Sequence, residues 1–217
     1  MRLVQKVVFA SLNKNKFEEF QGLFSQFPEI ELVPAESVLR NPEKLAFVET
    51  YETYTGNALA KARHANLGSH YPSIGDDTGL EVDALSGKPG VHSHRYAQAP
   101  QGTQFSREEQ SRANIELLLS EIAKNRAAPP TARFVTALSL VIEGISLTGT
   151  GVLEGTIVDQ PRGKNGFGYD PIFVPKGLTQ TLAELSLTEK NRLSHRSNAV
   201  VNLMDQVKAR GIVFAKP

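Results

Sequence analysis

The sequence predicts an α/β fold, a long, mixed and bent β-sheet flanked by helices. Strand-like and helix-like segments alternate through the first part of the chain, and two long strand candidates meet later at Gly144. The length of that later pair calls for a sheet that bends.

Leu3 to Ala10 is apolar enough for a buried first strand. After Ser11-Leu12-Asn13-Lys14-Asn15-Lys16, residues Phe17, Phe20, Leu23, Phe24 and Phe27 recur at helical spacing, which completes a strand–loop–helix unit. Ile30 to Pro34 makes a second strand, and beyond an irregular stretch containing Pro42, Ala58 to Leu67 reads as a helix carrying Lys61. Ser73-Ile74-Gly75 is the next strand, while Leu80-Glu81-Val82-Asp83-Ala84 alternates like a separate, half-exposed one. Ile115, Leu118, Leu119 and Ile122 give Glu109 to Lys124 the periodicity of an amphipathic helix, and Asn125 to Pro130 is a loop. Arg133 to Glu143 and Ile145 to Val158 form an antiparallel hairpin about Gly144. In the tail, Ser186-Leu187-Thr188-Glu189 is a capping box that starts a helix, interrupted near Ser194 and stopped at Gly211. With no repeat, low-complexity tract or linker, residues 1–217 make one domain, arranged in two lobes.

A chain of 217 residues that is 40% hydrophobic is long enough to bury a substantial core. Its 24 Lys plus Arg against 23 Asp plus Glu leave a net charge of +1, so no general field attracts a polyanion, and nucleic acid is not an expected partner. The absence of cysteine removes disulfides, thiolate metal sites and cysteine nucleophiles, in keeping with a reducing compartment. Val7 to Ala10 is too short for a secretory apolar region, and no window approaches the ~20 apolar residues of a membrane span. The expectation is a cytoplasmic protein with no membrane partner.

Asp76 and Asp77 stand where the short apolar strand ends, between Gly75 and Thr78-Gly79, so they are expected at a turn. Adjacent carboxylates repel unless a cation lies between them, and magnesium takes one or two carboxylates together with substrate phosphates. A phosphate substrate is one reading of the pair, and the satisfaction of turn amides is the other. The loop Ser11 to Lys16 leaves a strand and enters a helix, so its amides could hold an anion, with Asn13 and Lys16 adding side-chain donors. It lacks the spacing of a P-loop and could equally be an ordinary helix cap. Gly149-x-Gly151 is not a dinucleotide fingerprint, because it falls inside a hairpin strand.

Phe167-Gly168-Tyr169-Asp170-Pro171 follows the flexible run Arg162-Gly163-Lys164-Asn165-Gly166 and brings an aromatic face and a carboxylate to one place. A base could stack there, worth roughly 1–3 kcal/mol, or the rings could plug the core. Ser194-His195-Arg196 gathers a hydroxyl, an imidazole and a guanidinium that could read a base edge or hold phosphate, or form a solvated helix face. His92-x-His94 is a minority zinc reading without a third spaced ligand, and no nucleophile elbow is present.

Taken in order, Ser11-x-Asn13-x-x-Lys16, Asn57-Ala58-x-x-Lys61-Ala62, Gly75-Asp76-Asp77-Thr78-Gly79-Leu80-x-Val82, Pro89-Gly90-Val91 with Arg95-Tyr96, Gly166-Phe167-Gly168-Tyr169-Asp170-Pro171, and Glu189-Lys190 with Ser194-His195-Arg196 resemble the inosine triphosphate pyrophosphatase family. The likeness spans nearly the whole chain. It implies magnesium-assisted attack of water on the α-phosphate of ITP, dITP or XTP, giving the monophosphate and pyrophosphate and cleaning the nucleotide pool. It makes Asp77 the proton acceptor and a metal ligand, with Glu49 and Asp76 as further acids and Glu52 as a rival to Glu49. Ser11, Leu12, Asn13, Lys14, Asn15, Lys16, Lys61, Thr78 and Lys190 would contact substrate, the lysines at positions 16, 61 and 190 facing the triphosphate. Phe167, Gly168, Tyr169, Asp170, His195 and Arg196 would hold a 6-keto purine. The family is usually a homodimer with a groove between two lobes. Departures from its pattern are Leu12 for glycine, Thr78 for serine, Ser197-Asn198, and His92 with His94. Competing readings are a pyrophosphatase for modified pyrimidine or methylated nucleotides, and a purine-nucleotide-binding module that does not hydrolyse its ligand.

Overall fold

The computed structural model describes residues 4–125 and 130–214, so Leu3 of the first expected strand and most of the expected 125–130 loop lie outside the described residues. The strands are β1 (Gln5–Phe9), β2 (Ile30–Pro34), β3 (Ser73–Val82), β4 (Pro89–Gly90), β5 (Thr131–Ile142), β6 (Ile145–Ile157) and β7 (Phe173–Pro175). Among the described residues five helices accompany them, α1 (Lys14–Phe24), α2 (Tyr54–Ser69), α3 (Arg107–Asn125), α4 (Leu187–Leu193) and α5 (His195–Ala209). The sheet runs β2-β1-β3-β5-β6-β7, with β4 paired to β3. It is mixed, as expected: β1 lies parallel to β2 and β3, whereas β3–β4 and β6–β7 are antiparallel. Glu143 and Gly144 both take positive φ, 47° and 80°, the two-residue turn whose twist suits a hairpin.

The chain forms two compact units, the first from Met1–Asp77, Thr136–Gly151 and Ser194–Pro217, the second from Thr78–Val135 and Val152–Leu193. In the first, β1 is buried on both faces, which is why it reads as a continuous apolar run. Val7 and Phe9 join a core with Phe20, Phe24, Ile74, Leu138 and Leu203, and Val8 and Ala10 join another with Ala35, Leu45 and Ala65. The helical spacing of the early phenylalanines brings Phe20 to 4.9 Å of Phe9, ring to ring. Phe27 lies beyond the end of α1 and packs against Phe24 instead, ring tilted to ring. In the second unit Leu80, Val82, Leu118, Phe134, Ile172, Phe173 and Leu182 share one core.

One expectation is overturned. Ser73–Val82 is a single ten-residue strand, so Asp76 and Asp77 lie inside β3 and not at a turn, and the separate strand expected at Leu80 to Ala84 is the end of β3 followed by a short 3-10 turn. In the strand interior the acids are met by lysine and asparagine side chains from α1 and α2, which offset part of the cost of burying them. Gly75 prepares the site: a Cβ on it would stand 2.2 Å from the Ala58 carbonyl oxygen and 2.7 Å from the Ala62 amide nitrogen, so only glycine lets α2 rest on β3 beside the acids.

Gly149 and Gly151 have the same kind of role under α5. A Cβ on Gly151 would meet the His195 carbonyl oxygen at 2.0 Å and the Ala199 amide nitrogen at 2.4 Å, both backbone atoms that cannot swing aside. Gly151→Ala is therefore expected to cost about 1–3 kcal/mol or more, read as a lowered urea midpoint with unchanged m-value. A neutral result would show that α5 is not seated on this strand.

Candidate active site

In the first unit, β1 hands the chain to the loop before α1. Asn13 caps that helix, its Oδ1 accepting from the amides of Asn15 (3.1 Å) and Lys16 (3.3 Å). Ser11 Oγ accepts from the Asn13 amide at 3.3 Å, so the loop is fixed before any ligand arrives. Lys14 and Asn15 are exposed, and Leu12 packs against the smaller core. Capping places Lys16 in the first turn, where its Nζ donates to Asp76 Oδ2 at 2.6 Å.

The next helix supplies a second cation. Lys61 on α2 is buried, and its Nζ donates to Glu49 Oε1 at 2.6 Å. Asn57, one turn earlier, donates from Nδ2 to Asp77 Oδ2 at 3.0 Å. Glu49, Asp76, Asp77, Lys16 and Lys61 thus form one electrostatic group. Burial opposes ionisation of Asp76, yet Lys16 and Lys61 outweigh it and hold its carboxyl below the ordinary range. Glu49 is likewise held low by Lys61 against burial. For Asp77 burial prevails and pushes its pKa up, despite both lysines and the Asn57 bond. Lys61 pays a burial penalty that Asp76 and Glu49 reverse, raising its pKa. Glu52 is exposed, and Glu49 meets Lys61.

The donor set suits a hard divalent cation. Three carboxylates, Glu49, Asp76 and Asp77, face two ammonium groups, leaving one negative charge in excess, and all their ligating atoms are oxygen. Among the described residues no three His, Cys, Asp or Glu side chains form a ready-made cage. His92 and His94 are exposed.

Behind this group lies a buried ion pair. Arg196 at the start of α5 donates from Nη1 to Glu19 Oε2 on α1 at 2.8 Å. Ser194 caps α5 by accepting the Ser197 amide at 3.2 Å, which sets His195, fully buried, and Arg196 at the helix start. They are not the solvated face that their polarity allowed. Glu19 leaves one trace in the sequence, an acid one turn beyond Lys16 on an otherwise apolar helix face. Asn57 enters the sequence pattern as a motif residue without a role of its own.

In the second unit the Phe167 to Asp170 loop is pinned. Asp170 Oδ2 accepts the Phe167 amide at 2.8 Å and Lys190 Nζ at 2.7 Å, and Lys190 lies 5.0 Å from the Phe167 ring centroid. Gly166 and Gly168 take φ of 75° and 61°, and a Cβ on Gly166 would strike Asp170 Oδ2 at 2.2 Å. The buried Tyr169 donates its hydroxyl to the Ser93 carbonyl at 3.0 Å, so this ring plugs the core, while Phe167 stays half-buried. Thr78 follows the acids within β3 and is half-buried.

The sequence profile of the Ham1 family matches residues 7–206. The dITP/XTP pyrophosphatase of Bordetella parapertussis is 43% identical over 213 residues, covering 97% of this chain and 94% of its own. That of Christiangramia forsetii is 40% identical over 200 residues, covering 92% and 97%. Among solved structures, a HAM1 protein from Coxiella burnetii matches at TM-score 0.76 and 34% identity over 95% of this chain and 100% of that one. The Staphylococcus aureus Ham1 protein matches at 0.75 and 32%, with the same coverage.

Proposed function

This chain belongs to the Ham1 family, and on that premise we propose that it hydrolyses non-standard purine nucleoside triphosphates, ITP, dITP and XTP, to the monophosphate and pyrophosphate. It is a nucleoside triphosphate pyrophosphatase, a hydrolase of the phosphoanhydride bond. The observation that carries the reading in the structure is the carboxylate group, Asp76 and Asp77 buried and Glu49 half-buried, that meets the cations of Lys16 and Lys61. Such a group exchanges partners: when a triphosphate arrives, each lysine has phosphate oxygens to bind and its carboxylate is released.

Asp77, with Glu49 and Asp76 nearby, would hold a magnesium ion, which supplies neutralisation of phosphate charge and a more acidic water. Asp77 accepts a proton from the attacking water, whose oxygen bonds to the α-phosphorus as the bond to the bridging oxygen of the β-phosphate breaks. Pyrophosphate leaves with that electron pair. Without a bound cation, burial raises the Asp77 pKa, the direction that suits a proton acceptor.

In the first unit the loop Ser11 to Lys16, together with Lys61, is assigned to the phosphates, and His195 with Arg196 to the base. In the second unit, taken by itself, Phe167 to Asp170 is assigned to the base, with Thr78 and Lys190 as further substrate contacts. The family resemblance supports a homodimer acting on the cytoplasmic nucleotide pool. No helix among the described residues is long and apolar enough to cross a membrane.

Purified protein is expected to release pyrophosphate from dITP at least about a hundred-fold faster than from dATP, with loss of that activity under chelation. Equal rates on the two nucleotides, or preference for a modified pyrimidine, would overturn the purine reading.

A further inference from the structure

We propose that Asn57 is a positioning residue that locks the proton acceptor Asp77 to the segment carrying Glu49, a role that rests on the reading of the site given above. Asn57 is buried on the first turn of α2, and its side chain makes three hydrogen bonds. Nδ2 donates to Asp77 Oδ2 at 3.0 Å and to the Tyr51 carbonyl at 2.9 Å, while Oδ1 accepts the Tyr51 amide at 2.9 Å.

A primary amide has two N–H donors, and here both are committed. The bonds to Tyr51 grip the backbone on both sides of one residue, only two positions after Glu49. They fix the roll of the amide plane as a strand partner would. With that plane fixed, the remaining N–H points in one direction, and Asp77 Oδ2 lies along it. One oxygen of the carboxylate is therefore tied to the Tyr51 backbone, and the Asn57 side chain links the Glu49 segment to Asp77. The 2.6 Å contact of Glu49 with Lys61, one turn along the same helix, closes the assembly from the other side.

No other standard side chain reproduces this. Aspartate keeps the shape and can still accept the Tyr51 amide, but offers no donor to Asp77 and sets a second negative charge against it. Alanine keeps the helix, being its best former, and removes all three bonds. Glutamine is one methylene too long for a buried site that is already filled.

The test compares Asn57→Asp and Asn57→Ala with wild type on dITP and magnesium, alongside Ala65→Gly, a buried α2 position away from the acids that serves as a destabilised control. Losing a residue that orients a reacting group costs about 10–100-fold. Both Asn57 variants are expected to lose kcat in that range with KM within about three-fold of wild type. The control should keep its kcat while losing thermal stability. Alanine at position 57 adds no buried charge, so it is the milder of the two variants, and thermal stability is read for each beside kcat. A kcat unchanged in Asn57→Ala, or a fall in kcat that Ala65→Gly matches at equal loss of stability, would overturn the positioning role and leave the reading of the site intact. Absence of turnover in the wild type would overturn both.

Discussion

Asp77→Asn should lower kcat for dITP by about a thousand-fold, with KM within about three-fold of wild type. The amide is nearly isosteric and still accepts the Asn57 donor through its oxygen, so the strand and the loop held by Asn57 persist. What disappears is a carboxylate able to take a proton. General-base loss alone costs about 10²–10⁴-fold, and the weaker hold on a divalent ion adds to it. The comparison that isolates the role is Asp76→Asn, because Asp76 is committed to Lys16 at 2.6 Å and its pKa is held low, which makes it a poor base. That variant should lose less kcat and more apparent affinity for magnesium or substrate. Equal losses from the two substitutions would remove the distinction between base and anchoring acid. Near-normal turnover in Asp77→Asn would end the assignment.

Much of the fold was legible because its signals are local. The Glu143-Gly144 turn announces itself through a single glycine between alternating strands. The tail helix begins where Ser186 and Glu189 cap each other, the Ser186 amide donating to Glu189 Oε2 at 2.8 Å. Its expected interruption near Ser194 is the new N-cap of α5. The failure at β3 has the opposite cause. Gly75-Asp76-Asp77-Thr78-Gly79 has the composition of a turn, and what keeps it extended is supplied from elsewhere: Lys16 lies 60 residues from Asp76, and Asn57 lies 20 from Asp77. No window of the sequence contains both partners. The Glu19–Arg196 pair, separated by 177 residues, was beyond local reading for the same reason. Gly149 and Gly151 lie inside β6, as the hairpin predicts, yet their role depends on α5, roughly fifty residues further along the chain, and has no local trace. The acids and lysines were visible as residue types. Which of them meet was fixed by packing.

Lys190→Met is expected to destabilise the protein by about 3–5 kcal/mol, because it leaves the Asp170 carboxylate buried with the Phe167 amide as its remaining bond in the loop. Both members of the pair have side chains only 3% exposed, so the modest values of surface ion pairs do not apply. The contact of Lys190 with the Phe167 ring, at 5.0 Å, contributes about 0.5–1 kcal/mol and cannot account for a loss of that size. Two companions separate charge from packing. Lys190→Met with Asp170→Asn removes both charges while keeping an acceptor for the Phe167 amide, and should recover most of the loss. Asp170→Asn alone should be milder than Lys190→Met, since a long lysine stem can carry its ammonium towards water and a short aspartate cannot. Urea unfolding of the four proteins supplies the comparison. A loss below about 1 kcal/mol in Lys190→Met would mean that water reaches this pair and that the loop holding Phe167 owes its shape to the glycines alone.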